Sequence, residues 1–290
     1  MSRQRGKYQR KATPRPFLWV GILCCVLALI PAFLFGKFLL QGARVRSDSR
    51  RTVENYVTPI STQAATETVP PETAAPENTA PAATEPAETT APPTEPPRFP
   101  TIDFDGLRAK NGDVVAWLQM PALENINYPI VLGEDNAYYT THSWDNQKSD
   151  NGAIFLDYRN AGDFSQPHNI LYGHCMKDGT MFQPLGKWEG PEFFRTQDKT
   201  VLLFLPQETR VYEIFAVERI NALDTRVYTA DYTQDEAWKT ALLETQKASQ
   251  HRTEDTLTEA DQVLTLSTCM GGVERLAVHA VCREIVPISK

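Results

Sequence analysis

Cysteine is scarce in this chain, with five residues among 290. Cys24 and Cys25 fall in an apolar run near the N-terminus, where they are simply small apolar residues. Cys175, Cys269 and Cys282 remain, and because three is an odd number, at least one thiol is unpaired unless it pairs with another chain. A framework in which disulfides pair all three within one chain is therefore excluded, and one of these thiols is a candidate for a reactive role.

Acidic residues are nearly absent from residues 1–51, which hold eleven Lys and Arg but only one acid, Asp48. That segment carries a charge of +10, so the net charge of −7 leaves −17 for residues 52–290. An acidic body repels phosphates, which argues against nucleic acid as a partner. The basic segment beside it suits an anionic membrane surface.

Charge is missing altogether from Phe17 to Phe35, a mostly apolar run that Phe38, Leu39 and Leu40 extend beyond Lys37. About 20 apolar residues are enough to cross a bilayer. The alternative, a cleaved signal peptide, has an apolar core of only about 7–15 residues and a small-x-small cleavage site. This run is longer and lacks a good A-x-A site. We therefore predict a basic cytoplasmic tail at residues 1–16 and a single transmembrane anchor at residues 17–40.

Large apolar residues are almost absent between Val57 and Pro97, where Thr, Ala, Pro and Glu dominate. Such a segment cannot bury enough surface to offset the entropy of ordering. Thr/Pro-rich stalks are common outside the membrane, which favours a cytoplasmic N-terminus, although an insert without a spacing role has the same composition. We predict a disordered extracellular linker at residues 41–98 and one folded domain at residues 99–290.

The folded domain reads as mainly β, because short β-branched and aromatic runs alternate with Gly, Asn, Asp and Pro, which is typical of a barrel or a sandwich. Helical patterns are fewer, at Phe104–Lys110, around Thr180–Gly186 and at Asp235–Ser249, the last with Ala237, Leu242 and Leu243 near one stripe. The predicted strands are Val114–Gln119, Ile126–Val131, Ala153–Asp157, Asn169–Gly173, Val201–Pro206, Arg210–Arg219, Gln262–Thr268 and Arg275–Arg283.

Three residues at strand ends are candidates for chemistry. Cys269 ends the run QVLTLSTC, where Val263, Thr265 and Ser267 share its face. A thiol needs a nearby base to attack at neutral pH, and His174, which follows another strand, could supply it. Arg275 opens the last strand and could stabilise an oxyanion if that strand pairs beside Cys269. Taken singly, each is better explained by an ordinary role: a core cysteine, a surface or core histidine and an exposed arginine.

A zinc site at His168, His174 and Cys175 is disfavoured, since the spacing lacks a second ligand pair. We expect no metal and no cofactor.

Together these segments resemble class B sortases. TLSTC (Thr265–Cys269), followed shortly by an Arg-initiated strand, is similar to the active-site strand pair of that family. YGHCMKDGTMF (Tyr172–Phe182) is similar to its His-bearing segment. Three further segments match in the expected order, namely NGDVVAWLQM (Asn111–Met120), INYPIVLGEDNAYY (Ile126–Tyr139) and NGAIFLDYRN (Asn151–Asn160).

The resemblance implies an eight-stranded closed β-barrel with peripheral helices, and a catalytic site of Cys269, His174 and Arg275. It implies a transpeptidase that cleaves a C-terminal sorting motif of surface proteins and passes the acyl group to an amine of the cell wall. Ser267, Asn136 and Thr268 match substrate-groove positions, and we read Asp178 and Thr180 as shaping the loop after the His.

Two features depart from the family pattern. The connection Met270–Glu274 is short and lacks an acidic residue directly after the Cys, and Cys175 stands beside His174 where Asn is more usual. Two other functions use the same features: a Cys–His hydrolase with water as acceptor, and a non-catalytic wall-binding domain on a stalk.

Overall fold

The computed structural model describes residues 43–60, 98–224 and 226–288 together with the single positions Leu29, Lys37 and Leu40; of residues 269–271 it describes the backbone. No helix in that part of the chain is long and apolar enough to span a membrane. The predicted tail at residues 1–16 lies outside the described residues, as does the predicted anchor at residues 17–40 apart from three single positions. Both stay predictions.

Helices and strands follow one another in a mixed order along the chain. Up to residue 173 they are α1 (described over residues 43–56), β1 (Val57–Thr58), β2 (Thr101–Ile102), α2 (Phe104–Lys110), β3 (Val114–Gln119), β4 (Asn127–Val131), a 3-10 helix (Tyr138–Thr140), β5 (Ile154–Leu156) and β6 (His168–Gly173). After it come a second 3-10 helix (Gln183–Glu189), α3 (Pro191–Thr196), β7 (Thr200–Phe204), β8 (Glu208–Asn221), α4 (Glu236–Ala248), β9 (His251–Arg252), β10 (Val263–Gly271) and β11 (Glu274–Pro287).

Eight strands close into a barrel in the order β11-β10-β6-β5-β4-β3-β7-β8, because β8 also pairs with β11. The pairs β10–β6 and β4–β5 are parallel and the others in the ring are antiparallel. The two-residue β9 adds to β8 outside the ring. The predicted closed barrel with peripheral helices is confirmed, and its eight strands are the eight predicted ones, with ends shifted by up to four residues.

Alternation along β10 and β11 decides what faces the main core. Leu264 and Leu266 of β10 and Val278 of β11 belong to the main apolar cluster of the barrel. Thr265 and Ser267 alternate with these leucines and are also buried, because α4 and the segment before it cover this side of the sheet. Strands with both faces covered can hold polar side chains out of contact with water, which matters for the site.

Helix α4 begins after Asp235, whose carboxylate accepts hydrogen bonds from the backbone N–H groups of Ala237 and Trp238. The predicted apolar stripe of Ala237, Leu242 and Leu243 is wrong at two of three positions, since Ala237 and Leu243 are exposed. The buried face is Trp238, Ala241, Leu242 and Thr245, which has the i, i+3, i+4, i+7 spacing of one helix face. The large side chain of Trp238 determines which face of α4 is buried.

The predicted disordered linker at residues 41–98 needs correction over residues 43–60. Residues 43–56 form α1, and β1 pairs antiparallel with β2 through Val57 and Ile102. Val53 and Tyr56 pack against a second apolar cluster, and the Tyr56 ring meets Trp144 edge-on at 5.8 Å between centroids. This burial offsets the ordering entropy that composition alone could not. Residues 61–97 lie outside the described residues.

Gly173, the last residue of β6, has no room for a side chain. A Cβ there would lie 2.5 Å from Ile154 Cδ1 and 2.7 Å from Phe182 Cδ2. We therefore expect Gly173→Ala to lower the free energy of unfolding by about 1–3 kcal/mol, the usual cost of overpacking a core. Gly186→Ala is the matched control, since a Cβ at that position meets nothing within 4 Å. Urea unfolding of both variants tests this, and equal stability would contradict the crowding.

Candidate active site

The pairing of β10 brings the three predicted catalytic positions to one end of the barrel. Cys269 is the antiparallel partner of Arg275 on β11. On the other side, Thr268 of β10 pairs with Gly173 of the parallel strand β6. Cys269 follows Thr268 in β10, and His174 follows Gly173 just beyond the end of β6, so the two predicted residues leave the paired strands at the same point. The Cys269 side chain lies outside the described part of the structure.

A groove of about 320 Å³ opens at this end of the barrel. It is lined by every predicted site residue whose side chain the structure describes, namely His174, Arg275, Ser267, Thr268 and Asn136. The remaining lining comes from Thr140, Phe155, Tyr172, Gly173, Ala222 and Tyr228. Residues more than 130 positions apart in the chain therefore share one cleft.

The half-buried His174 ring is oriented by a backbone group. Its Nε2 lies 2.8 Å from the carbonyl oxygen of Thr140. A carbonyl can only accept, so Nε2 carries the proton and Nδ1 of the neutral ring is left to take another. Gly152 permits this approach, because at its φ of +60° a Cβ would lie 2.5 Å from the Tyr139 carbonyl oxygen and 3.1 Å from His174 Cδ2.

The loop after His174 is held closed by its own residues. Phe182 N donates to the His174 carbonyl at 2.9 Å, and Cys175 forms an isolated β-bridge with Met181. Asp178 Oδ1 accepts from Thr180 N at 3.0 Å and from Thr180 Oγ1 at 2.6 Å. Asp178 and Thr180 thus shape the loop, as the sequence predicted.

Helix α1 reaches the same loop. Arg46 Nη1 donates to the carbonyl oxygen of Asp178 at 2.9 Å. The segment that composition assigned to a linker is therefore in contact with the loop that carries the candidate general base.

Arg275 stands beside the Cys269 backbone at the start of β11. Its Nη1 donates to the carbonyl oxygens of Gly272 at 3.2 Å and Glu274 at 3.0 Å, both in the adjoining turn. The turn itself is tight, because Gly271 pairs with Glu274 and only Gly272 and Val273 lie between them. Gly272 has a φ of +56°, which suits a two-residue hairpin turn. The short Met270–Glu274 connection is thus a hairpin that brings the guanidinium to the groove.

The predicted substrate-contact residues differ in how far the protein already uses their polar atoms. Asn136 Nδ2 donates to Asp157 Oδ2 at 3.1 Å, and its Oδ1 accepts from Tyr158 N at 3.0 Å. Ser267 Oγ is 2.8 Å from the Tyr228 hydroxyl. By contrast, the buried Thr268 Oγ1 has no hydrogen-bond partner among the described residues.

Asp157 ties this side of the groove together, and the sequence reading did not single it out. The fully buried carboxylate accepts from Arg159 Nε at 2.8 Å and Nη2 at 2.7 Å, and from the Tyr172 hydroxyl at 2.9 Å. Arg159 Nη2 also donates to the Tyr228 carbonyl at 2.9 Å. Its position in the sequence could have indicated this role, because Asp157 directly follows a buried strand within the segment NGAIFLDYRN.

These contacts set the protonation of Asp157. Burial would raise the pKa of its carboxyl, but the hydrogen bonds from Arg159 and Tyr172 and the charge of Arg159 outweigh burial and hold that pKa below its ordinary value. Burial, followed by the charge of Asp157, raises the pKa of Tyr172. The neutral Tyr172 phenol that lines the groove therefore donates to an ionised Asp157 carboxylate buried behind it.

The zinc hypothesis fails on geometry. His168 and His174 stand beyond opposite ends of the stretch from Asn169 to Gly173, and six residues of strand span about 20 Å. His168 is also buried and bonded to Thr229 and Thr265. Within the part of the chain that the structure describes, no cluster of three or more His, Cys, Asp or Glu could hold a metal ion.

A closed eight-stranded barrel with Cys, His and Arg at one end defines a family. The model of the Sortase domain family matches residues 118–283, and the chain belongs to the sortase family.

Its relatives place it in class B. The chain is 33% identical over 163 residues to sortase B of Listeria monocytogenes, covering 56% of this chain and 65% of that protein. It is 28% identical over 168 residues to sortase B of Staphylococcus aureus, covering 57% and 67%. The chain thus spans about two thirds of the length of these relatives.

Solved structures of sortase B proteins are also similar to this chain. Sortase B from Bacillus anthracis in complex with AAEK1 superposes with a TM-score of 0.58 at 34% identity, covering 63% of this chain and 85% of that one. The Staphylococcus aureus sortase B–substrate complex gives a TM-score of 0.58 at 26% identity, covering 64% and 85%. The residues that match the family model, 118–283, include every residue that lines the groove.

The Asp157 contacts predict a pH-dependent loss of stability. Asp157→Asn keeps the shape but removes the charge that Arg159 pairs with, and we expect it to lower the free energy of unfolding at pH 7 by about 1.5–3 kcal/mol. Because the folded-state pKa of Asp157 lies below its unfolded value, its contribution is present above the unfolded pKa of about 3.9 and is lost as pH falls through the folded pKa.

Denaturant unfolding of the wild type and Asp157→Asn at pH 7 and pH 3 measures this difference. The difference in the free energy of unfolding between the wild type and Asp157→Asn should be smaller at pH 3 than at pH 7. A difference of the same size at both pH values would show that the charge of Asp157 is not what stabilises this part of the fold.

Proposed function

We propose that this chain is a membrane-anchored cysteine transpeptidase that cleaves a C-terminal sorting motif of surface proteins and transfers them to an amine of the cell wall. The observation that carries the proposal is the register of β10, which sets Cys269 beside both Arg275 and the strand end that leads to His174. Membership of the sortase family supports the reaction class. That the Staphylococcus aureus relative was solved as a substrate complex supports a groove that binds substrate.

In the first half-reaction, the Cys269 thiol gives its proton to His174 Nδ1 and the thiolate attacks the scissile carbonyl carbon. The C=O electrons move to the oxygen, and the Arg275 guanidinium stabilises the resulting oxyanion. The intermediate collapses to a thioester as the C–N bond breaks. The leaving amine takes the proton held by His174.

In the second half-reaction, an amine of the wall attacks the thioester carbonyl. His174 takes a proton from that amine and returns it to the departing Cys269 sulfur, so the thiol is regenerated and a new amide bond joins protein to wall. Because the Nε2 proton of His174 is committed to the Thr140 carbonyl, one nitrogen serves both proton transfers. No cofactor enters either step.

The substrate peptide would lie along the groove lined by Ser267, Thr268 and Asn136. Thr268 offers a buried hydroxyl that no described residue uses. Asn136 and Ser267 are already bonded to Asp157 and Tyr228, so we assign them to shaping the pocket wall against which the peptide packs.

Variants of the three catalytic residues test the reaction. We expect Cys269→Ala and His174→Ala to form no thioester adduct with sorting-motif peptides, as measured by intact-protein mass spectrometry. Arg275→Lys should form it at least about 100-fold more slowly, because an ammonium lacks the guanidinium's fork and the loss of an oxyanion donor costs that much. Cys282→Ala, a half-buried cysteine on β11 far from the groove, is the matched control and should acylate normally. Normal acylation of Cys269→Ala would overturn the proposal.

An added amine then separates transfer from hydrolysis. A transpeptidase should convert the peptide mainly to the amide of that amine, whereas a Cys–His hydrolase would release the free acid whatever amine is present. A protein that forms no adduct at all with a broad peptide library would instead fit a non-catalytic wall-binding domain.

The membrane location is part of the same proposal, with residues 17–40 as a single span, the N-terminus in the cytoplasm and the catalytic domain outside. The span rests on the uncharged apolar run, and the orientation rests on the Thr/Pro-rich segment that follows it. We expect the full chain to stay in the membrane fraction after alkaline carbonate extraction, and a variant lacking residues 17–40 to be released. Release of the full chain would contradict the anchor.

A further inference from the structure

A chain of buried hydrogen bonds crosses four neighbouring barrel strands on the side that α4 covers. His168 Nε2 of β6 lies 2.8 Å from Thr265 Oγ1 of β10, and Thr265 Oγ1 lies 2.9 Å from His279 Nδ1 of β11. His279 Nε2 is 3.1 Å from Glu218 Oε1 of β8. All four residues are at most 3% exposed, so bulk water does not reach their polar atoms.

Both ends of this chain are tied to the same short segment between β8 and α4. His168 Nδ1 is 2.8 Å from the carbonyl oxygen of Thr229. At the other end, Arg226 forms a fork with Glu218, with Nη1 3.0 Å from Oε1 and Nη2 2.9 Å from Oε2. Tyr228 lies between these two anchors and lines the groove. The buried hydrogen-bond chain therefore holds one wall of the active-site groove at two residues, Arg226 and Thr229.

The hydrogen bonds between the two histidines and Thr265 need more protons than two neutral rings and one hydroxyl supply. The Thr229 carbonyl only accepts, so His168 Nδ1 must donate to it. Both Glu218 oxygens accept from Arg226, so the carboxylate is ionised and His279 Nε2 must donate to it. If both rings were neutral, His168 Nε2 and His279 Nδ1 would both require the one proton of the Thr265 hydroxyl. Such a buried polar contact without a proton is costly, so one ring carries a second proton.

The surroundings decide which ring it is. His279 faces the Glu218 carboxylate directly, with Arg226 on the far side of that carboxylate and Asp224 3.2 Å from Arg226. His168 contacts the rings of Tyr232 and Trp238, and among the described residues no carboxylate is hydrogen-bonded to it. His279, Asp157 and Arg159 act on it only at longer range. Burial lowers the pKa of His168 to about 3, which keeps that ring neutral.

We infer that His279 is held as a buried imidazolium between Thr265 and Glu218, and that this proton completes the chain that positions the Arg226–Thr229 wall of the groove. Thr265 then donates to His168 and accepts from His279, and every polar atom in the chain has its partner. His279, Thr265 and Glu218 are positioning residues, because they act on the groove through Tyr228 and the Thr229 backbone. The consequence for catalysis rests on the proposed transpeptidase function; the protonation does not.

Tyr228 shows why the wall matters to substrate. Its hydroxyl is 2.8 Å from Ser267 Oγ, and its ring stacks on Tyr172 with 6.1 Å between centroids. A looser wall would change the fit of the peptide, while His174 and Arg275 keep their own supports at the Thr140 carbonyl and the Gly272–Glu274 turn. We therefore expect loss of the buried hydrogen-bond chain to change KM for the sorting peptide more than kcat.

Nitrogen NMR of the full chain, labelled with ¹⁵N at histidine and held in detergent, tests the protonation without reference to activity. At pH 7, both His279 nitrogens should give signals of the protonated type, and His168 should give one protonated and one unprotonated nitrogen. His279→Gln identifies the signals. An unprotonated nitrogen on His279 would overturn the inference, whether or not the protein is a transpeptidase.

Peptide kinetics test the positioning role. Thr265→Val removes only the hydroxyl, and we expect KM to rise about tenfold with kcat changed less than twofold, as for the loss of a buried hydrogen-bond pair. Thr265→Ser restores the hydroxyl and should return KM to near the wild-type value. Thr209→Val changes a buried threonine that takes no part in the hydrogen-bond chain. It is the control and should leave KM unchanged. Wild-type KM in Thr265→Val, or an equal rise in Thr265→Ser, would contradict the positioning role.

Discussion

The position of β10 between a parallel neighbour and an antiparallel one is the constraint on which the site depends. A parallel pair keeps both strands running in the same direction, so the pairing of β6 with β10 stops at Gly173 and Thr268, and the residues that follow them are His174 and Cys269. An antiparallel hairpin turns the chain back at once, so Arg275 lies across from Cys269. A slip of one residue in either pairing would send a catalytic side chain to the other face of the sheet.

That register holds because both faces of the strand are buried. The inward leucines of β10 fill the main core, and its outward Thr265 and Ser267 are engaged by His168, His279 and Tyr228. Buried polar groups must be paired, and a shifted strand would leave several of them unpaired at once. The same polar contacts thus fix the strand and support the groove wall.

Polar contacts beneath the groove divide into two sets that meet at Tyr228. One centres on the Asp157 carboxylate, whose partner Arg159 also holds the Tyr228 carbonyl. The other is the His168–Thr265–His279–Glu218 chain, which holds the residues on either side of Tyr228. Each set keeps a charged group out of water and matches it with an opposite charge, the arrangement that makes a buried ion tolerable.

Local patterns in the sequence by themselves determined the eight strands, α2 and α4, because strand and helix periodicity can be read over a few residues. The same patterns left Cys269, His174 and Arg275 only as candidates, and the resemblance of their segments to class B sortases singled them out. Composition misjudged residues 43–56, since the packing of Val53 and Tyr56 onto a distant cluster leaves no local trace. The phase of α4 was missed because Trp238 outweighed the smaller residues near it. Only the tertiary structure decided that Asp157, Tyr228 and the two buried histidines support the groove. Their partners lie up to 97 positions apart, and hydrogen bonds over that distance depend on the register of the closed barrel.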